Sequence, residues 1–269
     1  MVIEIRRLIR PRRACERLRR QGSRCRWGRS LLAVLFSLAG SALACSQEIS
    51  TKTIAEVKPA VFPVVCAALN QGNEFRVVQM MATGFLINPQ GGFLTAGHVV
   101  EDLDKFAAEH HCFGAIFLAI VSEAAQDLVQ TRWFRIRSCQ SDHKLDLAAC
   151  SLTQNPFEDA ALRNRIGTLK LNSLFQFADG TPVAFTGFPL EMGRPLTSKG
   201  FIAARYPGQL IIDKSAWPGA SGSPVYTATG KVIGLVTQAG LGVGTGLAYA
   251  APADAIMEFL SKEKIPFQR

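Results

Sequence analysis

Thr83-Gly-Phe-Leu-Ile-Asn-Pro-Gln-Gly-Gly-Phe-Leu-Thr-Ala-Gly-His-Val-Val100 holds two short apolar runs, a turn between them and a histidine at the far end. Pro89 fixes its own φ and the glycines at 91 and 92 accept positive φ, so residues 88–92 predict a turn. The runs on either side, 84–88 and 92–96, predict strands. His98 closes the second run and stands before a stretch, 99–109, with helical apolar spacing and acidic Glu101 and Asp102 near its start. A side chain at a strand end is exposed to a cleft, which suits a general base; the other reading is a structural histidine. His110, His111 and His143 lie in polar surroundings without such a frame.

Outward from this segment, short strand-like runs recur at 61–68, 75–80, 115–121, 133–138 and 145–152. A later set covers 167–171, 182–187, 199–205, 210–213, 223–226, 232–238 and 246–251. Many short strands separated by turn residues predict an all-β barrel or sandwich. Thr227-Ala-Thr-Gly230 predicts a second hairpin turn. Residues 252–263 predict a helix, with a proline in its first turn and Ile256, Phe259 and Leu260 on one face. The polar stretch 155–165 is the expected linker between two β halves. The composition, 48% hydrophobic with 23 glycines in 269 residues, suits a turn-rich globular protein with a sizeable core.

The strongest local chemistry lies in Trp217-Pro-Gly-Ala-Ser-Gly-Ser-Pro224. Small residues around Ser221 would hold its hydroxyl at a tight, exposed turn. A flexible Gly219 can aim its N–H at the same point as that of Ser221, and two such amides form an oxyanion hole. An ordinary glycine-rich turn is the alternative. A serine nucleophile needs a base, and the base needs an acid that fixes its tautomer. Asp146 sits in the otherwise apolar Lys144-Leu-Asp-Leu-Ala-Ala-Cys-Ser-Leu152, where a carboxylate is costly to bury unpaired. It could instead be a surface aspartate beside Lys144, while Asp142 has the polar neighbours of a solvated turn.

The formal charge of +9 is carried entirely by residues 1–30, which hold eleven arginines against Glu4 and Glu16. No dense basic run remains in the folded part, which argues against a nucleic-acid partner. The basic start, the apolar run 31–40 and the small Ala42 and Ala44 predict an export signal over 1–44, cleaved after Ala44. The run is short for a transmembrane helix, which needs about 20 apolar residues. The protein is therefore expected to be exported, to the periplasm or beyond. Cys45 follows the cleavage point in a loose lipoprotein-like box, so it is either a lipid anchor or a mobile thiol. Cys66, Cys112, Cys139 and Cys150 then form an even set for an oxidising compartment. Cys139 and Cys150 flank an expected hairpin and would pair, leaving Cys66 for Cys112; four free thiols are the alternative.

Residues 83–100 closely resemble the histidine segment of trypsin-like serine proteases, in particular the HtrA (Deg) group. Asp146-Leu-Ala-Ala resembles that group's aspartate strand. Gly219-Ala-Ser-Gly-Ser-Pro224 resembles the nucleophile loop, a form shared with glutamyl endopeptidases. Gly246-Leu-Ala-Tyr-Ala-Ala-Pro-Ala-Asp254 resembles the last strand and helix entry. The motifs occur in the family's order over about residues 54–262. The resemblance implies two six-stranded antiparallel β-barrels followed by a C-terminal helix, with residues 45–160 carrying His98 and Asp146 and 161–269 carrying Ser221. It implies a Ser221–His98–Asp146 triad, an oxyanion hole from Gly219 and Ser221, a polypeptide substrate, and no metal or organic cofactor.

By the same resemblance, the S1 pocket would be walled by Thr237, Ala239 and Gly240, with Ser215 at its base. Ser215 stands where trypsin uses an aspartate, and Val236 where glutamyl-specific relatives place a histidine, so a small or medium apolar P1 residue is expected. There are departures: no PDZ domain is expected after Arg269, Trp217 replaces a small or polar residue, and residues 101–130 resemble an insertion. Gly-Ala replaces the commoner Gly-Asn before the serine, and no trypsin-like activation terminus is expected. A catalytically silent peptide-binding module is the competing reading. An α/β-hydrolase esterase would need its serine before its histidine.

Overall fold

The computed structural model describes residues 48–121, 128–173, 177–239 and 246–269; the expected signal over 1–44, Cys45 and Gly240 lie outside them. Six strands come first: β1 (Val61–Leu69), β2 (Phe75–Leu86), β3 (Phe93–Ala96), β4 (Phe113–Val121), β5 (Leu128–Asp142) and β6 (Leu147–Leu152). Six more follow: β7 (Pro182–Gly187), β8 (Leu196–Tyr206), β9 (Gln209–Ile212), β10 (Pro224–Tyr226), β11 (Val232–Ala239) and β12 (Ala248–Pro252). Three helices, α1 (Thr51–Val57), α2 (Gly97–His110) and α3 (Ala253–Lys262), precede β1, follow β3 and follow β12.

Each set of six closes into an antiparallel barrel, in the orders β1-β2-β3-β6-β5-β4 and β10-β11-β12-β9-β8-β7. Closure leaves neither barrel with an unpaired edge strand. The all-β architecture and C-terminal helix expected from the sequence are both present. In α3, Ile256, Phe259 and Leu260 are buried on one face, as their spacing predicts, and join a core that includes Phe62, Phe85 and Phe93 of the first barrel. Phe62 meets Phe93 edge-on at 5.4 Å, a favoured aromatic arrangement.

The predicted turn at 88–92 is organised by Asn88, whose Oδ1 accepts from Gln90 N–H at 3.0 Å and Gly92 N–H at 2.9 Å. Its Nδ2 donates to the carbonyl of Pro266 at 2.8 Å, tying the hairpin to the C-terminal segment. Several expectations are revised. The runs 75–80 and 84–88 merge into β2, which ends at Leu86; Gly84 does not break the strand but packs within it, where a Cβ would lie 2.8 Å from the ring of Phe62. Residues 167–171 form no ladder strand, making only an isolated parallel bridge, Leu171 with Val232. The helix expected over 99–109 starts at Gly97, so His98 lies inside it. α1 has no amphipathic length to announce it; it is capped by Ser50, whose hydroxyl accepts from Thr53 N–H at 3.0 Å.

Both expected disulfides are present. Cys66–Cys112 joins β1 to the chain leaving α2, with Cα atoms 5.6 Å apart. Cys139–Cys150 bridges directly opposed residues of β5 and β6, with Cα atoms 4.0 Å apart.

Candidate active site

His98 owes its position to register. β3 pairs with β6 so that Ala96 faces Leu147, which sets Asp146 beside the residues that follow Ala96. The chain enters α2 there with alanine at the N-cap, and alanine has no side chain to accept the helix's free N–H groups. Asp146 supplies the acceptor: Oδ1 takes the backbone N–H of His98 at 2.7 Å. Its other oxygen, Oδ2, takes the ring Nδ1–H of the same residue at 2.8 Å. One carboxylate thus caps the helix and orients the imidazole. Asp146 reaches both with a left-handed backbone, φ 52°, a conformation uncommon outside glycine but tolerated by aspartate. A Cβ at Gly97 would crowd Asp146 Oδ1 and Leu147 N, each at 3.1 Å.

The hydrogen bond with Asp146 raises the His98 pKa above the ordinary imidazole value of 6.5. Partial burial opposes the rise, and the charges of Asp146, Asp102 and Glu101 add to it. Three residues from this pair on each side, His143 Nδ1–H meets Glu101 Oε1 at 2.7 Å. That second contact also joins the β5–β6 turn to α2. Asp142, the rejected candidate acid, shapes the turn by accepting from the N–H groups of Lys144 and Leu145 at 2.9 and 3.1 Å.

Ser221 lies in a loop between β9 and β10 in which the peptide planes from 218 to 222 are individually held. Pro218 O accepts from Leu190 N–H at 2.8 Å, and Ala220 O from Ser223 N–H at 3.0 Å. Gly219 O accepts from Thr83 Oγ1 at 2.8 Å, and Ser221 O from Thr83 N–H at 2.9 Å. Thr83 belongs to β2, so the first barrel fastens the loop of the second. Thr83 in turn accepts at Oγ1 from Phe188 N–H at 2.9 Å and at its carbonyl from Thr95 Oγ1 at 2.8 Å. Gly219 and Gly222 have φ of 89° and 86°, and a Cβ on Gly222 would fall 1.9 Å from the carbonyl oxygen of Thr83. Nothing but glycine fits that position.

Among the described hydrogen bonds, none uses the N–H of Gly219 or of Ser221 as donor. These are the two amides that the sequence nominates for an oxyanion hole. The Ser221 hydroxyl donates to Thr237 O at 3.3 Å, a long contact; His98 and Asp146 are in direct contact, whereas Ser221 Oγ is turned to the strand behind it. Of the pocket residues, Ser215 is half-buried and Thr237 buried, with Thr237 Oγ1 donating to Tyr249 O at 3.3 Å. Ala239 ends β11 opposite Ala248.

The sequence did not single out Thr83 as a partner of the Ser221 loop, although a threonine amid apolar strand residues is a signal that its hydroxyl has a specific partner. Nor did it single out Phe188, Leu190 and Glu191. These residues, with Gln79, Met80, Met81, Pro218 and Gly219, line a cleft of about 480 Å³ beside the loop.

Residues 82–235 match the family model described as "Trypsin-like peptidase domain". The chain is also similar to proteins named "Probable periplasmic serine endoprotease DegP-like". That of Pseudomonas savastanoi pv. phaseolicola (strain 1448A / Race 6) is 26% identical over 201 residues, covering 72% of this chain and 37% of that protein. That of Pseudomonas fulva (strain 12-X) is 26% identical over 200 residues, covering 72% and 36%. The counterpart in Hahella chejuensis (strain KCTC 2396) is 24% identical over 193 residues, covering 69% and 36%. The chain thus spans little more than a third of the length of these curated relatives. With the family match covering more than half of its residues and the double barrel beneath it, the chain belongs to the trypsin-like peptidase family.

Proposed function

We propose that the protein is an exported serine endopeptidase that hydrolyses peptide bonds through Ser221, His98 and Asp146. The observation that carries this reading is the double grip of Asp146 on His98, through the backbone N–H at 2.7 Å and the ring Nδ1–H at 2.8 Å. Nδ1 keeps its proton there, so the neutral ring presents Nε2 as a base. Ser221 Oγ leaves its weak contact with Thr237 O, gives its proton to His98 Nε2 and attacks the scissile carbonyl. The N–H groups of Gly219 and Ser221 receive the oxyanion. His98 then protonates the departing amine, and water attacks the acyl-enzyme by the same base. The base and acid would come from the part of the chain before residue 160, and the nucleophile from the part after it.

The substrate class is polypeptide, with a small or medium apolar P1 residue against Thr237, Ala239, Gly240 and Ser215. Export to the periplasm is supported by the basic and apolar leader and by the relatives named as periplasmic. A silent peptide-binding module is the second reading, favoured by the Ser221 hydroxyl bonding Thr237 O instead of His98. Fluorophosphonate labelling of the purified protein beside Ser221→Ala separates the two. Labelling that vanishes in the variant, with cleavage of a peptide library, supports the peptidase; no labelling of either protein supports the binding module.

A further inference from the structure

Leu190 and Glu191 are consecutive non-glycine residues with left-handed backbones, φ 54° and 56°. Each such residue costs about 1–2 kcal/mol, and pairs of them persist only where the surroundings hold them. They form a strap, the 3-10 turn Pro189–Glu191, between β7 and β8. Three contacts hold it. At its base Phe188 N–H donates to Thr83 Oγ1 at 2.9 Å. In its middle Leu190 N–H donates to Pro218 O at 2.8 Å. At its far end the Glu191 carboxylate accepts from Gln79 Nε2 of β2, in the opposite barrel.

We infer that this strap positions the oxyanion hole: the Gln79–Glu191 clasp holds Leu190 N–H on Pro218 O, and this bond fixes the direction of the Gly219 N–H. The reason is peptide planarity. Pro218 O and Gly219 N–H belong to one rigid unit and point in opposite directions. Anchoring the oxygen on the strap therefore points the N–H away from it. The adjoining plane is locked by the bond from Thr83 Oγ1 to Gly219 O, 2.8 Å long. The N–H of Gly219 thus lies in one fixed plane and borders another, with no donor role of its own among the described hydrogen bonds. Rotation of the Pro218–Gly219 unit is the motion that would remove it. A glycine at 219 makes that rotation easy, so an external anchor is needed.

The proposal rests on the peptidase reading and is tested by a charge swap across the clasp. Gln79→Glu sets two carboxylates face to face, Glu191→Ala removes the acceptor, and the double variant Q79E/E191Q restores one donor and one acceptor with their sides exchanged. Kinetics on an internally quenched peptide and the affinity of a peptide boronate are measured for each. Loss of an entire oxyanion donor costs about 10²–10³ in kcat. A misdirected Gly219 N–H is accordingly expected to lower kcat about tenfold in both single variants, with KM nearly unchanged. Boronate affinity should fall in parallel, and the double variant should recover both. Wild-type kcat and boronate affinity in the single variants, or no recovery in the double, overturns the strap while leaving the peptidase reading intact.

Hydrogen exchange resolved at Leu190 keeps the test independent of activity. Its amide should be protected in the wild type and in Q79E/E191Q, and should exchange faster in Q79E and E191A. Equal protection in all four proteins overturns the proposal even if the wild type proves inactive.

Discussion

Asp146 performs two tasks that are normally separate, capping α2 and holding His98, through oxygens 2.7 and 2.8 Å from their donors. Replacement by asparagine leaves one oxygen and sets an NH₂ group against the other donor, so the ring turns or changes tautomer. Asp146→Asn is expected to lower kcat by about 10⁴, the loss that the wrong tautomer produces in a serine triad. The pH dependence follows from the same contact. In the proposed mechanism His98 acts as the neutral ring, and the bond to Asp146 raises its pKa above 6.5. In the wild type, kcat/KM should therefore rise with pH along a limb whose midpoint lies above 6.5. In Asp146→Asn the midpoint should shift down. For stability the sign is the reverse: the protonated ring gains most from Asp146, so this contribution is complete below the unfolded imidazole pKa. It is lost as pH rises through the raised folded value. Paired pH–rate and pH–denaturation curves check both; an unshifted limb in the asparagine variant would remove Asp146 from its role.

Among elements, the β5–β6 hairpin matters most, because its turn carries Asp146 and its strands carry Cys139 and Cys150 at directly opposed positions. The two disulfides close segments of different length, separations of 11 and 46 residues. Loop-closure entropy predicts about 3 kcal/mol from the shorter and about 4 kcal/mol from the longer. Urea denaturation of C139A/C150A and C66A/C112A should show the larger drop in midpoint for the second. The hairpin variant should nonetheless lose more activity, because its staple closes the hairpin whose turn carries Asp146, the proposed triad acid. The reverse order of activity loss would show that the turn is held by Asp142 and by the His143–Glu101 contact instead.

At the scale of the two barrels, Thr83 is a junction: one residue of the first barrel binds the second through its N–H and its hydroxyl. Thr83→Val keeps the shape but leaves Phe188 N–H and Gly219 O without their partner, and each buried orphan costs about 1–3 kcal/mol. The variant should unfold at lower urea and should lose kcat beyond what its folded fraction explains, since the loop next to Ser221 loses an anchor. Specific activity corrected for active-site titration measures this; a normal corrected kcat would confine Thr83 to stability.

Much of the fold was legible because the decisive patterns are local. The turn at 88–92 needs Pro89, Gly91 and Asn88, the period of α3 needs only its own residues, and closely spaced strands with turns between them limit the class to barrel or sandwich. The order of His98, Asp146 and Ser221 and the cysteine pairs could likewise be read along the chain, the pairs because an expected hairpin brings 139 and 150 together. Residues far apart in sequence had no such marker. That Gly84 makes room for Phe62, that Asp146 caps a helix 48 residues before it, and that Thr83 fastens residues 219 and 221 depend on register between strands and on barrel closure. A hydroxyl or a glycine in one strand does not reveal which strand will face it. The amino-acid sequence by itself determined the elements and the chemical groups; only the tertiary structure decided which donors meet which acceptors, because those distances exist only once both barrels have closed and packed.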